Sequence, residues 1–129
     1  MKARETALKL KRFETDEKAR KVADLEHMIR EFETIATDLD RQVQAEEDRT
    51  GIKDIKHFAY STFAKSASQR RDNLRASIAE LRVKLEAAQK DHDELKQQLA
   101  RAATDEPRES TPDRNSRRRQ ERGTSLALR

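Results

Sequence analysis

The side chains of this chain that could do chemistry are its carboxylates and its three histidines. Acidic residues stand close together at Glu46 and Glu47 and again at Asp91 and Asp93, and two carboxylates can share general acid and general base work where their surroundings push their pKa values apart. That work needs a pocket that excludes water, and two helices do not make one. His27, His57 and His92 lie at unrelated spacings, so they do not form the paired set that holds zinc on one helix face. Cysteine is absent, which removes thiolate nucleophiles, thiolate metal sites and disulfides, and fits a reducing compartment. There is no glycine-rich phosphate loop, no His-Glu-x-x-His and no nucleophile elbow. The sequence therefore predicts a chain that is not an enzyme, with no catalytic, cofactor-binding or metal-ligating residues and no small-molecule substrate.

Recognition chemistry is better represented. One tyrosine and four phenylalanines make up all the aromatic side chains, and three of these five, Phe58, Tyr60 and Phe63, fall within the stretch TGIKDIKHFAYSTF from Thr50 to Phe63. A solvated turn has no need of them. The elements that must position them can be read from composition and periodicity. With 42% charged and 33% hydrophobic residues the chain cannot close an ordinary globular core, yet it is too periodic for plain disorder. Both prolines lie in the last quarter and there are only two glycines, so about the first hundred residues are nearly free of helix breakers.

In the first arm, residues 3 to 49, the apolar series Val22, Leu25, Ile29, Phe32, Ala36, Leu39, Val43 alternates gaps of three and four, the a/d signature of a coiled coil. The i,i+4 pairs Asp16 with Arg20, Glu17 with Lys21 and Glu26 with Arg30 are expected on its solvated face. Carried backwards, the frame places Lys18, Thr15 and Lys11 on the seam and leaves Leu10 and Phe13 off it. This suggests a stutter near the start, with an apolar patch of Leu8, Leu10 and Phe13 as the alternative. In the second arm, residues 62 to 103, the same spacing returns at Ala67, Arg71, Leu74, Ile78, Leu81, Leu85, Ala88, His92, Leu95, Leu99 and Ala102. A stripe two positions wide in seven must be covered by another helix. Gly51, placed where the first helix would stop, predicts that the chain doubles back. Val43 should then face Ala67 and Arg71, Phe32 should face Ile78 and Leu81, and Val22 should face Ala88 and His92. Arg71 is expected to snorkel out of the seam and His92 to fix register. Asp54 is suited to cap a short turn, and Ser61 or Thr62 to cap the second helix. The fold class is thus all-α: residues 1–103 as a long antiparallel coiled-coil hairpin turning at about 50–60, and residues 104–129 as a disordered tail.

The tail, TDEPRESTPDRNSRRRQERGTSLALR, abandons the heptad and gathers Arg117, Arg118, Arg119 and Arg122. Four arginines without interleaved aromatics or a folded scaffold read as a solvated basic tail, and nucleic acid is not expected as a partner. The net charge of +4 is small beside the total. The N-terminal MKARETALKLKRFETDEK holds no apolar run of signal-peptide length, and no stretch could cross a bilayer, so a soluble or peripheral cytoplasmic protein is expected.

The opening MKARETALKLKRFETDEKARKVADLE and the mid-chain HFAYSTFAKSASQRRDNL, set on such a hairpin, resemble the flagellar export protein FliJ family in its compact bacterial form. The resemblance covers residues 1 to 103, and the succession HFAY, TFAK, QRRDNL is its most specific part. It implies a two-helix stalk, similar to the central stalk of rotary ATP synthases, that enters the hexameric ring of the export ATPase. It also implies docking onto the cytoplasmic domain of the export gate protein FlhA, escort of export chaperones, and a location at the inner membrane beneath the flagellum. Motility and chemotaxis would depend on it. The tyrosine and phenylalanine of the family's gate-binding face correspond to Tyr60 and Phe63, with Phe58, Ala67, Arg70 and Leu74 on the same end. The terminal end, with Lys2, Arg4, Leu8, Lys9, Lys11 and Arg12, would contact the ATPase ring. A generic cytoplasmic coiled-coil adaptor, or a nucleic-acid-associated protein acting through the tail, is the alternative.

Overall fold

A computed structural model describes residues 2–104 of the chain; the tail beyond Thr104 lies outside the described residues. Two helices, α1 (Lys2–Thr50, 49 residues) and α2 (Thr62–Thr104, 43 residues), pack against each other in antiparallel fashion, and no strand occurs among the described residues. The hairpin fold class is as the heptads predict. The helix boundaries follow from local chemistry. Gly51 takes φ 76°, and its amide donates to the Glu47 carbonyl at 2.8 Å, the single-bond left-handed cap that ends a helix. At the start of α2, the Ser61 hydroxyl accepts from the Ala64 amide at 3.2 Å, so Ser61 is the N-cap of that helix.

The chain divides into two compact units. In the larger, residues 13–95, two apolar clusters line the seam. Leu25, Ile29, Ile78, Leu81 and Ala88 form one, with Val22, Phe32 and Leu85 against it. Leu39, Val43, Ala64 and Ala67 form the other, with Tyr60 and Leu74 against it. The expected partners Phe32 with Ile78 and Leu81, Val22 with Ala88, and Val43 with Ala67 fall in the same clusters. Each large aliphatic residue removed from water in this way contributes ~1.5–3 kcal/mol before the entropy of ordering is subtracted. Register is also marked by cross-helix pairs: Arg71 Nη1 to Asp40 Oδ1 at 2.7 Å, Lys18 Nζ to Asp91 Oδ2 at 3.4 Å, and Arg82 to Glu33. Arg71 does snorkel from the seam, with its guanidinium between Asp40 and Asp72. His92 is half-buried at its seam position.

The smaller unit gathers the described residues 2–12 and 96–104. Leu8 is its buried residue, Leu99 is half-buried, and Lys11 Nζ donates to Gln98 Oε1 at 3.0 Å. Thr104 closes α2 by donating its hydroxyl to the Ala100 carbonyl at 2.6 Å.

Two sequence expectations need correction. There is no stutter near the start of α1: Leu8 (9% exposed) and Thr15 are buried, and Lys11 and Lys18 are half-buried, all in the frame set by Val22. Lysine can hold a seam position because its aliphatic stem covers the apolar stripe while the ammonium reaches a polar partner. Leu10 and Phe13 point away from the seam, so Leu8 does not share a surface patch with them. On the outer face, Arg20 pairs with Glu17, three residues back, and not with Asp16, since the i,i+3 and i,i+4 neighbours of a helical side chain compete on near-equal terms.

Candidate functional site

The connection between the helices, residues 51–61, is built by short polar side chains. Ile52 donates its amide to the Thr50 hydroxyl at 3.3 Å, and Asp54 Oδ1 accepts from the Lys56 amide at 3.0 Å. Asp54 therefore caps a turn, as its type suggests, with the His57 amide closing onto the Asp54 carbonyl at 2.9 Å. A second turn follows, in which the Tyr60 amide donates to the His57 carbonyl at 3.0 Å and the Ala59 amide donates to His57 Nδ1 at 3.0 Å. The His57 ring stacks on Phe58 at a centroid distance of 4.7 Å.

These turns are bolted to the end of α1 through two adjacent carboxylates. The Tyr60 hydroxyl donates to Glu47 Oε2 at 2.6 Å, the short distance of a charge-assisted bond. The Ser61 hydroxyl donates to Glu46 Oε2 at 2.6 Å, and Arg49 grips both oxygens of the same carboxylate at 2.9 and 2.8 Å. The Arg49 guanidinium, followed by the Ser61 hydroxyl, holds the Glu46 carboxyl down from 4.5 to about 2, and Glu46 in turn raises Arg49. The Glu47 carboxylate, with burial behind it, pushes the Tyr60 phenol up, while Ser68 and the Arg71 guanidinium oppose the shift. Further along α2, burial pulls the Arg71 guanidinium down, but the carboxylates of Asp40 and Asp72 outweigh it and its pKa is raised.

The three aromatic residues are thereby sorted. Tyr60 packs on the Leu39, Val43, Ala64, Ala67 cluster, whereas Phe58 is 96% exposed and Phe63 is 56% exposed. They do not form a common plug over the last seam layer. Ile55, 49% exposed, adds a further apolar side chain to the turn. Of the other positions assigned to this end, Arg70 is exposed, but Ala67 (4% exposed) and Leu74 face the seam. A residue that fills the interhelical layer cannot also present a surface, so the exposed set is Phe58, Phe63 and Arg70. At the chain's other assigned surface, Lys2, Arg4, Lys9 and Arg12 are exposed, Lys11 is engaged with Gln98, and Leu8 is buried by its heptad position.

The sequence reading missed Glu46, Glu47, Ser68 and Ile55 as parts of this end. Doubling the chain back at Gly51 brings the last turn of α1 level with the first turn of α2, which was the available signal that Glu46 and Glu47 meet Tyr60 and Ser61. Asp91 of the other acidic pair meets Lys18 across the seam. Among the described residues no three His, Cys, Asp or Glu side chains gather as a metal site, and no helix is long and apolar enough to cross a membrane. The arrangement is a hydrogen-bonded turn that carries exposed apolar groups beside exposed cations. The chain matches no family model, no curated protein and no solved structure.

Proposed function

We propose that this chain is a non-catalytic component of the bacterial flagellar protein export apparatus, a stalk between the export ATPase ring and the membrane export gate that also escorts export chaperones. The observation that carries the reading is the exposure of Phe58 on a turn that Tyr60 and Ser61 lock in place, with Phe63 exposed beside it in the first turn of α2. Leaving phenylalanine in water on a fixed scaffold forgoes stabilisation that burial would give, and a preorganised aromatic anchor of this kind is what an interface hot spot uses. Phe58, Phe63 and Arg70 are the gate contacts, with Tyr60 as the residue that positions them and Ala67 and Leu74 as the seam beneath. The exposed cations Lys2, Arg4, Lys9 and Arg12 suit acidic loops of a surrounding ring, where they would mainly raise the rate of association. The protein would act in the cytoplasm, at the membrane that holds the gate.

The test is affinity of the full chain for the cytoplasmic domain of FlhA, and separately for the export ATPase. Phe58→Ala should leave helicity unchanged, weaken gate binding by at least ten-fold and reduce motility. Reversing Lys9 and Arg12 to glutamate should slow ring association at low salt. Unaltered gate binding by a folded Phe58→Ala, Phe63→Ala double variant would overturn the docking assignment.

A further inference from the structure

We infer that the interhelical turn is also a lipid-binding tip, which inserts Phe58 into the headgroup region of an anionic membrane. Three features of residues 51–70 point to this partner. First, the apolar side chains are solvent-exposed at Ile55, Phe58 and Phe63, and Phe58 is the most exposed large hydrophobic residue of the three. An aromatic ring at the interface, followed by bulk aliphatic contact, is the composition that seats a peripheral protein at the headgroup boundary.

Second, the turn and the first turns of α2 carry more basic than acidic side chains. Lys53, Lys56, Lys65 and Arg70 are all exposed and are balanced within the segment by Asp54 alone, four basic side chains against one acidic. Of the acids just before the turn, Glu46 is paired with Arg49 and Asp48 with Lys53 at 3.5 Å, while Glu47 keeps its charge on the Tyr60 hydroxyl, so Lys56, Lys65 and Arg70 are the cations left to face a headgroup. Cations around an apolar tip complement a surface of phosphate headgroups, each basic residue near such a surface adding to the attraction.

Third, the backbone is prepared to leave water. An unbonded amide is costly in a low-dielectric interface. Here the amides of Lys56, His57, Ala59 and Tyr60 are all bonded within the turn, to Asp54 Oδ1, the Asp54 carbonyl, His57 Nδ1 and the His57 carbonyl. Insertion of the Phe58 ring therefore leaves the amides on either side of it, His57 and Ala59, bonded.

The chain has no tryptophan, so Phe58→Trp in the full chain is a single fluorescent reporter at the tip. With phosphatidylglycerol vesicles its emission should shift to the blue and be quenched by brominated acyl chains, and with phosphatidylcholine vesicles it should do neither. Replacing Lys53, Lys56 and Lys65 with glutamine should weaken binding by about five-fold per lysine and about a hundred-fold together. These positions are exposed, and helicity by circular dichroism checks the fold of each variant. Sedimentation with anionic vesicles while the Phe58→Trp reporter stays unshifted and unquenched would place binding elsewhere on the chain, for instance in its arginine-rich C-terminal segment, and overturn the proposal. Equal insertion into neutral vesicles would overturn the role of charge. No gate protein is present in this experiment, so its failure leaves gate docking standing, and loss of gate docking leaves it untouched.

Discussion

Tyr60 and Phe58 stand two residues apart in the same turn, yet removing a few atoms from each should have opposite consequences. In Tyr60→Phe the ring keeps its place on the Leu39, Val43, Ala64, Ala67 cluster, and only the hydroxyl is lost. That hydroxyl donates to Glu47 Oε2 at 2.6 Å. A hydrogen bond to a charged acceptor is worth ~1.5–3 kcal/mol, and since Glu47 is partly in contact with water the lower end applies, so the loss should be ~1–2 kcal/mol. For a domain of about a hundred residues this lowers Tm by about 4–8 °C per kcal/mol. Phe58→Ala removes a far larger side chain, but one that is 96% exposed, so its effect on stability should stay within ~0.5 kcal/mol. Thermal unfolding followed by circular dichroism reads both. A cycle with Glu47→Gln should return a coupling energy of at least ~0.5 kcal/mol with Tyr60→Phe and none with Phe58→Ala. If Tyr60→Phe melts with the parent chain while Phe58→Ala melts early, the turn is held by aromatic burial and the reasoning fails.

Other perturbations follow from the same geometry. Gly51→Ala meets no atom within 4 Å, so its cost is the positive φ alone, ~1–2 kcal/mol in chemical denaturation, and Gly51→Asn should cost less. Leu39→Asp puts a carboxylate into the buried layer with Val43, Ala64 and Ala67 and should lose more than the ~2–5 kcal/mol expected of Leu39→Ala, seen as loss of helicity at ambient temperature. Glu46 has a folded-state pKa depressed to about 2, so the stability it brings is present above its ordinary 4.5 and is lost as pH falls from there towards 2; Glu46→Gln should flatten that part of the acid unfolding curve. Tyr60 is shifted the other way. Its contribution is present below the ordinary phenol value of 10 and lost as pH rises through the raised one, and because it is the sole tyrosine, ultraviolet absorbance reports its ionisation directly.

Most of the architecture was legible because it depends on spacing alone. The alternation of three and four from Val22 to Val43 and from Ala67 to Leu99 marks two seams, and Gly51 supplies the one backbone conformation that lets them meet. Failure came where side-chain type and position disagree. Lys11 and Lys18 look polar enough to break the frame before Val22, but a lysine stem is apolar over most of its length, and along α1 the same spacing holds back to Leu8. Ala67 and Leu74 were assigned both to the seam and to a surface, and packing admits only the first. The carboxylates Glu46 and Glu47 carried no local sign of their role, because a surface acid and an acid that clamps a turn have the same sequence signature; what separates them is whether a hydroxyl arrives opposite.

That arrival explains how the exposed aromatics persist. Phe58 lies within a few residues of an apolar layer, and collapse over that layer is the ordinary fate of a phenylalanine at the open end of a coiled coil. Two things oppose it here. Tyr60 already occupies the end of the layer, held by Glu47, and Ser61 fixes the start of α2 to Glu46 while capping it. Between these anchors and the left-handed Gly51, two hydrogen-bonded turns, Asp54 to His57 and His57 to Tyr60, restrict the backbone on which Phe58 stands. The same polar bonds that stabilise the hairpin thus keep an apolar group in water. Cutting them should affect recognition and stability together: a Glu46→Gln, Glu47→Gln double variant should bury Phe58, seen as protection of the Phe58→Trp reporter from aqueous quenchers, and should lose affinity for any partner that uses the tip. A reporter that stays fully quenchable in that variant would mean that Phe58 is held out by something other than the clamp.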